Sequence, residues 1–334
     1  MQAPSFWWRK PGAAATLLRP LATAYGGIAA RRMGQAGEGV GIPVVCIGNP
    51  TVGGSGKTPT VLATARLLAD AGERPAFLTR GYGGRLKGPL AVDANSHQAV
   101  DVGDEPLLLA RVFPTIVARD RVAGARLARD AGATVIVMDD GFQNPSLAKN
   151  CAILVVDGER GIGNGLVFPA GPLRAPLAFQ LRQAHAIVVI GTGTAAASVI
   201  NAAMGLETGV FEGSFEPAAH VVATLRRQPV LAFAGIGNPD KFFATLATAG
   251  IDARVRHSFP DHHFVTTDEA SRLLREAERE NLSLVTTEKD FVRLQRDGVL
   301  GDLRAATRAL PITLAFSDEI GFRRFVLRRI RSNA

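Results

Sequence analysis

Six short runs of uniformly apolar residues, separated by helical patterns, occupy the chain from Pro43 to residue 191. The runs are PVVCIG, PAFLT, TIVA, TVIVMDD, CAILVVDG and AIVVIG. Strands with apolar side chains on both faces are typical of parallel sheets covered by helices on both sides. Helical patterns at 60–71 and 120–131, each followed by a glycine, lie between such runs. The pattern predicts an α/β fold with a doubly wound, mostly parallel sheet.

A second, smaller alternation follows a change of pattern near residue 220. Between 205 and 229 the sequence predicts two short strands that bridge two units. Beyond them, VLAFAGIGNP, ARVRHSF, LSLVTTEKD and PITLAF alternate with helical patterns, and a basic helix closes the chain. A length of 334 residues exceeds the usual size of one domain. We therefore expect a first domain at 1–220 and a smaller C-terminal α/β domain at 221–334.

The stretch GNPTVGGSGKTP, residues 48–59, directly follows the first apolar run and contains most of a phosphate-binding loop. The generic pattern is G-x-x-x-x-G-K-[ST], and Thr51 occupies the position of its first glycine. In such loops backbone amides surround the phosphates, Lys57 adds a positive charge, and the Thr58 hydroxyl ligates Mg²⁺. A glycine-rich turn without function is the simpler alternative. The predicted nucleotide-binding residues are Thr51, Val52, Gly53, Gly54, Ser55, Gly56, Lys57 and Thr58.

Two adjacent carboxylates, Asp139 and Asp140, end the apolar run TVIVMDD. Ligands of open α/β sheets bind at the carboxyl ends of the strands, where this pair lies. Carboxylates on an apolar strand are costly unless a cation or hydrogen-bond donors compensate them, so the pair indicates a metal-linked site. An Asp-Gly turn explains Asp140 and Gly141 but leaves Asp139 without a reason.

Four further loops carry residues that bind ligands or transfer protons. They contain Tyr82 in RGYGG, Asp104 in VGDEP, Arg174 in PAGPLR and His262 in FPDHH. Asp104 also fits the role of a helix N-cap. A second interpretation of the histidine-rich loop is a metal site, because His and Asp side chains are common ligands. That site would use His257, Asp261, His262 and His263.

The N-terminal segment predicts an interfacial helix. Leu17, Leu21, Tyr25 and Ile28 recur at helical spacing, and Trp7 and Trp8 beside two basic residues would suit a lipid headgroup layer. The longest charge-free stretch is shorter than the ~20 residues of a membrane span. The net charge of +8, concentrated in Arg at both ends, favours anionic partners. Two cysteines inside apolar runs exclude a disulfide scaffold and a zinc-cysteine site.

Taken in order, these motifs resemble those of the tetraacyldisaccharide 4'-kinases, which phosphorylate the lipid A precursor of Gram-negative-type bacteria. The resemblance covers nearly the whole chain. It rests on the basic N-terminal helix and on GNPTVGGSGKTP, RGYGG, VGDEP, DDGFQ, PAGPLR, AFAGIGNP, FPDHH and TTEKD. The form of the loop with Thr51 is itself similar to that of the family.

The resemblance implies a P-loop NTPase-like fold and transfer of the ATP γ-phosphate, with Mg²⁺, to the 4'-hydroxyl of a lipid-linked disaccharide. It implies that Asp104 is the general base, paired with His262. It also implies a peripheral position at the cytoplasmic face of the inner membrane, with neither nucleic acid nor an obligate protein as partner. The remaining implied catalytic, metal-binding and substrate-binding residues are Lys57, Thr58, Asp139, Asp140, Arg174, Gln143 and Tyr82.

Three other functions compete with this interpretation. A regulatory GTPase or assembly ATPase would use the same loop, but a GTPase requires an N-K-x-D motif, and Thr287-Glu288-Lys289-Asp290 is only superficially similar. A peripheral membrane protein that binds nucleotide for stability would lack acceptor phosphorylation. A phosphoesterase of the DHH type would leave the P-loop without a role.

Overall fold

The computed structural model describes residues 3–53 and 56–332. Among these residues the strands, in chain order, are β1 (Val44–Gly48), β2 (Pro75–Thr79), β3 (Leu90–Ala91), β4 (Thr115–Val117), β5 (Val135–Asp139), β6 (Cys151–Asp157), β7 (Ala186–Ile190), β8 (Gly209–Pro217), β9 (Val230–Ala234), β10 (Ala253–Ser258), β11 (Ser283–Thr287), β12 (Thr307–Leu310) and β13 (Ile312–Phe316). The α-helices, in the same order, are α1 (Ala13–Met33), α2 (Lys57–Asp70), α3 (Ala99–Val102), α4 (Asp104–Ala110), α5 (Arg121–Asp130), α6 (Leu177–Gln183), α7 (Ala197–Ala203), α8 (Ala219–Leu225), α9 (Pro239–Thr248), α10 (Thr267–Arg279), α11 (Glu288–Arg293), α12 (Gly298–Ala306) and α13 (Glu319–Arg331).

The strands form two sheets. The larger sheet has nine strands in the order β13-β8-β7-β6-β1-β5-β2-β4-β3, and the smaller has four in the order β10-β9-β11-β12. The core of the larger sheet and all pairings of the smaller one are parallel. The predicted α/β class, with a doubly wound sheet and a second smaller sheet, is confirmed.

Helices cover both faces of the larger sheet, which explains why its strands are apolar throughout. In β1, Val44 and Cys46 pack into the core beneath α1, α5 and α6, while Val45 and Ile47 pack into the core beneath α2 and α13. Every residue of β1, β2, β5, β6 and β7 is buried. Because neither face is solvated, polar alternation is absent from these strands.

The C-terminal strand and helix belong to the larger sheet, contrary to the expected domain at 221–334. β13 pairs with β8 in antiparallel fashion, with Ile312 opposite Pro217. α13 buries Phe322, Val326 and Ile330 in the same core as α2. The smaller sheet therefore lies entirely within 230–310 and is inserted between two neighbouring strands of the larger one. Pairing with β8, a tertiary contact, decides where β13 belongs.

One of the two bridging strands expected at 205–229 is a helix. Residues 209–217 form β8, as the pattern indicates, but HVVATL lies within α8. α8 buries Val222 and Leu225 against the smaller sheet. The β-branched residues favour a strand locally, but tertiary packing overrides that weak preference.

The N-terminal helix is present and partly differs from the expectation. Leu17, Leu21 and Ile28 of α1 are 81%, 62% and 70% exposed. Trp7, expected in a headgroup layer, is buried instead: its indole N–H donates to the Pro169 carbonyl at 3.1 Å and its ring contacts Phe168. No helix within residues 3–53 and 56–332 is long and apolar enough to cross a membrane.

Candidate active site

The P-loop joins β1 to α2 at the centre of the larger sheet. Gly53 and Gly56 have φ angles of 112° and 85°, in the left-handed region that favours glycine. A Cβ on Gly56 would lie 2.5 Å from Phe215 and 2.7 Å from Ile190, so close packing also requires glycine there. Gly54 and Ser55, predicted to bind nucleotide, lie outside the described residues.

Thr51 adopts an extended conformation because the loop at 167–174 pairs with it. Thr51 forms an antiparallel bridge with Leu173, and the amide of Val52 donates to the Pro172 carbonyl at 2.8 Å. The Arg174 amide donates to the Pro50 carbonyl at 2.8 Å. This part of the P-loop therefore needs no glycine, since its backbone is held like a strand by the PAGPLR segment.

Lys57 is held by polar partners at the centre of the loop. Its ammonium donates to Asn49 Oδ1 at 3.1 Å and lies 3.7 Å from Asp140 Oδ1. Asn49 in turn donates from Nδ2 to the Gly53 carbonyl at 2.8 Å. Asn49 thus fixes both the loop backbone and the lysine. Our sequence analysis did not select it, although it stands in the quoted GNP stretch.

Asp139 is the most isolated carboxylate of the site. It is 1% exposed, and neither of its side-chain oxygens has a hydrogen-bond partner among the described residues. Burial raises its pKa to about 7, and Glu105 and Asp140 add to that rise, while Lys57 opposes it. A buried carboxylate without donors fits a cation, and one or two carboxylates with phosphate oxygens suffice for Mg²⁺.

Thr58 lies in the first turn of α2 and is 5% exposed. The pairing of Ile47 in β1 with Asp139 in β5 places the strand ends that carry the P-loop and this carboxylate side by side. Thr58 and Asp139, the two predicted metal ligands, therefore follow adjacent strands. Among the residues that the structure describes, no three His, Cys, Asp or Glu side chains cluster as a metal site.

Asp140 has a different environment from its neighbour. Its φ of 52° places a non-glycine residue in the left-handed region, as occurs at strained functional positions. Arg174 NH1 lies 3.1 Å from Asp140 Oδ1, and Arg174 Nε donates to the Thr51 carbonyl at 3.0 Å. Burial opposes ionisation of Asp140, but Lys57 and Arg174 lower its pKa below the usual value. Arg174 thus connects the loop to this carboxylate.

Gln143 and Tyr82, both predicted to bind substrate, lie in different parts of the site. Gln143 donates from Nε2 to the Asn49 carbonyl at 3.0 Å and to Gln180 Oε1 at 3.0 Å, so it supports the P-loop. Tyr82 is 70% exposed, and its ring centroid lies 5.6 Å from that of His262. Tyr82 is therefore mostly exposed and lies beside His262, whereas Gln143 lies beside the P-loop.

Asp104 and His262 contact each other although they lie in different units of the fold. Asp104 lies in a helix that packs on the larger sheet, and His262 lies in a loop of the smaller sheet. Asp104 begins α4, and His262 follows β10 with a φ of 60°. His262 Nδ1 lies 3.4 Å from Asp104 Oδ2, and Asp104 is 5% exposed. The hydrogen bond to Asp104 raises the pKa of His262, although burial and Arg293 oppose the rise. The interpretation of Asp104 as an N-cap is wrong, because Gly103 is the N-cap of α4 and Asp104 is the first residue of the helix.

The alternative metal site in the histidine-rich region is not formed. His257 Nε2 lies 2.8 Å from Glu276 Oε2, and His263 Nε2 lies 2.8 Å from Glu269 Oε2. The His263 ring also stacks on Phe259 with a centroid distance of 5.0 Å. Each imidazole therefore has its own carboxylate partner, away from His262.

Two cations of α11 complete the site, and our sequence analysis did not assign them a role. Arg293 forms a buried ion pair with Asp104, in which its Nε donates to Asp104 Oδ2 at 2.9 Å. Lys289 Nζ lies 2.6 Å from Glu105 Oε1. The TTEKD motif, noted only as a part of the resemblance, contains Lys289 and precedes Arg293 by three residues. That motif was the one available signal.

The sequence model for "Tetraacyldisaccharide-1-P 4'-kinase" matches residues 14–331 of this chain. The chain belongs to the tetraacyldisaccharide 4'-kinase family. It is 52% identical over 330 residues to the tetraacyldisaccharide 4'-kinase of Rhodopseudomonas palustris (strain BisB18), covering 99% of this chain and 96% of that protein. It is 53% identical over 319 residues to that of Methylobacterium nodulans, covering 95% and 93%.

A solved structure of the family has the same fold. LpxK from Aquifex aeolicus, crystallised in complex with ATP, superposes with a TM-score of 0.72 and 26% identity, covering 95% of this chain and 99% of that chain. The family resemblance drawn from the motifs is confirmed. This member of the family is thus a kinase of lipid A biosynthesis that uses ATP and Mg²⁺.

Proposed function

We propose that this chain transfers the γ-phosphoryl group of ATP to the 4'-hydroxyl of a tetraacyldisaccharide 1-phosphate at a membrane surface. The observation that carries the proposal is the meeting of Asp104 with His262 beside the P-loop site of Lys57 and Asp139. A proton acceptor for an alcohol stands there next to a phosphate-binding loop. A regulatory NTPase, whose acceptor is water, has no need of a carboxylate delivered against a second sheet.

The P-loop side of the site binds and orients ATP. The amides at the start of α2 would face the phosphates, and Lys57 would exchange its contacts with Asn49 and Asp140 for the β- and γ-phosphate oxygens. Arg174, which pairs with Asp140 and the Thr51 carbonyl, would add a second cation for the phosphates. Thr58 and Asp139 would hold Mg²⁺, which would supply charge neutralisation for the transferring phosphoryl group.

Proton transfer falls to the pair from α4 and the histidine loop. The 4'-oxygen forms the new bond to the γ-phosphorus while the bond to the bridging oxygen breaks and ADP leaves. Asp104 accepts the hydroxyl proton, and His262 holds the carboxylate and receives the proton afterwards. Tyr82, beside His262, contacts the sugar, and Gln143 keeps the loop at 49–53 in place.

Two units enclose this chemistry. We propose that one consists of residues 1–217 and 312–334, and that the other consists of residues 218–311. The chain crosses between them at two adjacent points, since the Ala218 amide donates to the Pro311 carbonyl at 3.0 Å. Approach of the units over ATP excludes water and limits futile hydrolysis.

A membrane surface at the cytoplasmic face of the inner membrane is the proposed location, with α1 as the contact. Leu17, Leu21 and Ile28 form an exposed apolar stripe on this helix. Tyr25 lies in the same row and is partly exposed, with its ring edge against Phe168 at a centroid distance of 5.4 Å. A lipid-linked hydroxyl is presented at such a surface, so an interfacial helix brings the enzyme to its substrate.

The test uses labelled ATP, Mg²⁺ and a tetraacyldisaccharide 1-phosphate dispersed in detergent. Transfer of label to the lipid, with ester linkage to the 4'-oxygen, is the expected result. A matched reaction with GTP separates the kinase from a GTPase. Tight ATP binding with no label in the lipid would refute the proposal and favour a nucleotide-stabilised membrane protein.

A further inference from the structure

The buried ion pair between Asp104 and Arg293 joins the two units at the centre of the site. Arg293 donates to Asp104 Oδ2 from Nε at 2.9 Å and from NH2 in a second, short hydrogen bond. The two side chains are 5% and 2% exposed. Both donors converge on one carboxylate oxygen, so Arg293 holds Oδ2 in place and compensates the charge of Asp104.

Arg293 is itself held rigidly within its own unit. Its NH1 donates to the Gly235 carbonyl at 2.8 Å and to Asp290 Oδ1 at 2.8 Å. Asp290 accepts from the Gly235 amide at 3.0 Å and from the Thr287 hydroxyl at 2.6 Å. The guanidinium therefore has one orientation, set by the end of β9 and the start of α11.

Asp104 keeps acceptor capacity despite this pairing. Oδ2 accepts the hydrogen bonds from Arg293 and lies 3.4 Å from His262 Nδ1. Oδ1 accepts one hydrogen bond, from the Glu105 amide at 3.0 Å. A carboxylate oxygen has two lone pairs, so Oδ1 can still accept a proton from a bound hydroxyl. Arg293 thus occupies one oxygen and leaves the other available.

The charges that face Asp104 come from three elements. Arg293 and Lys289 approach it from α11 and His262 from the loop after β10, while Glu105 adjoins it in α4. Asp290 in α11, a further anion, interacts with the same carboxylate. Burial alone would raise the pKa of Asp104, but His262, Arg293 and Lys289 together lower it below the usual value.

We propose that Arg293 is a positioning residue of the phosphoryl transfer: from the second unit it orients the carboxylate of Asp104 and keeps it ionised to accept the hydroxyl proton. This inference rests on the proposed role of Asp104. Both units then contribute to proton transfer: the first supplies the carboxylate of Asp104 in α4, and the second supplies the guanidinium of Arg293 in α11, which orients that carboxylate. Without that cation, Asp104 would lose two charge-assisted hydrogen bonds and one of the charges that offset its burial.

The experiment compares Arg293→Met, Arg293→Lys and Arg296→Met across pH 5.5–9.5 with the detergent-dispersed disaccharide. Arg296 is the matched control, because it also bridges the units, through the carbonyls of Ala94 and Asn95, without contacting Asp104. Arg293→Met should raise the acid limb of kcat by at least one pH unit, so that its kcat relative to the wild type falls by up to about tenfold towards pH 5.5 and recovers as the pH rises. The KM for ATP should change less than about threefold.

Arg293→Lys keeps the positive charge but loses the paired hydrogen bonds to Asp104 Oδ2. The acid limb of its kcat profile should therefore stay near that of the wild type, while kcat falls at every pH. Arg296→Met should match the wild-type profile. A loss of kcat by one constant factor at all pH values in Arg293→Met, or no loss, would overturn the proposal. So would an acid limb that shifts equally in Arg296→Met.

A second measurement needs no turnover. In a double-mutant cycle of Asp104→Asn and Arg293→Met, urea unfolding at pH 7 should reveal a coupling of at least about tenfold in the unfolding equilibrium constant. Additive effects would overturn the inference even if no variant were active. A wild type that shows this coupling but transfers no label to the lipid would instead refute the proposed function alone.

Discussion

Ile47 of β1 and Asp139 of β5 are paired residues on adjacent parallel strands. The P-loop and the isolated carboxylate therefore leave the sheet at the same edge, about one strand spacing of ~5 Å apart. The arrangement brings a positively charged loop and a carboxylate without hydrogen-bond partners to one place. Bound phosphates would balance the positive charge of the loop, and a bound cation would balance the charge of the Asp139 carboxylate.

Asp139→Asn should stabilise the ligand-free protein and abolish turnover. Removing a buried charge without donors should raise the free energy of unfolding at pH 8 by about 1 kcal/mol or more, and kcat should fall by roughly 10²-fold or more. Asp140→Asn is the matched control, because it breaks ion pairs with Lys57 and Arg174 and should destabilise instead. Urea unfolding with and without Mg²⁺ and ATP measures the change in stability of both variants, and transfer of label from ATP to the disaccharide measures kcat. Destabilisation in both variants would contradict the isolation of Asp139.

His262→Ala should lower kcat by roughly 10- to 100-fold, with little change in ATP affinity. The reason is that His262 contacts Asp104 and belongs to the second unit, whereas the P-loop belongs to the first. His263→Ala provides the control one residue along the chain, since that ring pairs with Glu269. Steady-state kinetics with the disaccharide and ATP titration separate the two effects. Equal losses in both variants would place the function of this loop elsewhere.

The contact between His262 and Asp104 should weaken as the pH rises. Since the pKa of His262 is raised in the folded protein, its contribution to stability is complete below the unfolded value of about 6.5 and is lost as the pH passes the folded value. The difference in Tm between wild type and His262→Ala should therefore be largest at pH 6 and shrink towards pH 8.5. A difference that grows with pH would reverse the assigned sign.

Gly56→Ala should destabilise the protein by about 2 kcal/mol and weaken ATP binding. A methyl group there meets Phe215 and Ile190 in a left-handed conformation, so the loop must shift. Gly205→Ala has open space and an ordinary φ and serves as the control. Thermal unfolding and nucleotide titration report the change. Wild-type ATP affinity in Gly56→Ala would show that the loop tolerates the movement.

Replacing Leu17, Leu21 and Ile28 together with Ser should release the protein from vesicles. Each buried leucine or isoleucine is worth about 1.5–3 kcal/mol in an apolar environment, so the bound fraction should fall well over tenfold. Met204→Ser with Ile320→Ser removes exposed apolar side chains elsewhere and should leave sedimentation unchanged. Persistent binding of the triple variant would move the anchor to another surface, such as the arginines of α13.

Much of the fold was predictable because its signals are local. The central strands are apolar on both faces, and Gly-rich or Asp-rich stretches mark their carboxyl ends. The place of β13 was not predictable, because PITLAF pairs with a strand about 100 residues earlier. HVVATL was misassigned since its β-branched residues favour a strand, while burial of Val222 and Leu225 favours a helix.

The site divides in the same way. Motif spacing indicated Lys57, Asp104, Asp139 and His262, and the structure places Asp104 beside His262 and Lys57 beside Asp140, the neighbour of Asp139. Arg293 could not be predicted as a site residue, because no local sequence motif distinguishes a functional arginine in a short helix from any other arginine. Its partner Asp104 lies 189 positions away. Only the packing of α11 against α4 makes that arginine part of the site.

The insertion of the smaller unit between β8 and β13 has a consequence for synthesis of the chain. The ribosome delivers β8 long before β13, so the edge strand and α13 reach the P-loop unit only after residues 218–311 have emerged. The unit that starts first is completed last. A chain truncated between residues 218 and 311 would leave β8 as an unpaired edge strand and would leave the apolar face beneath α13 open to proteases and aggregation.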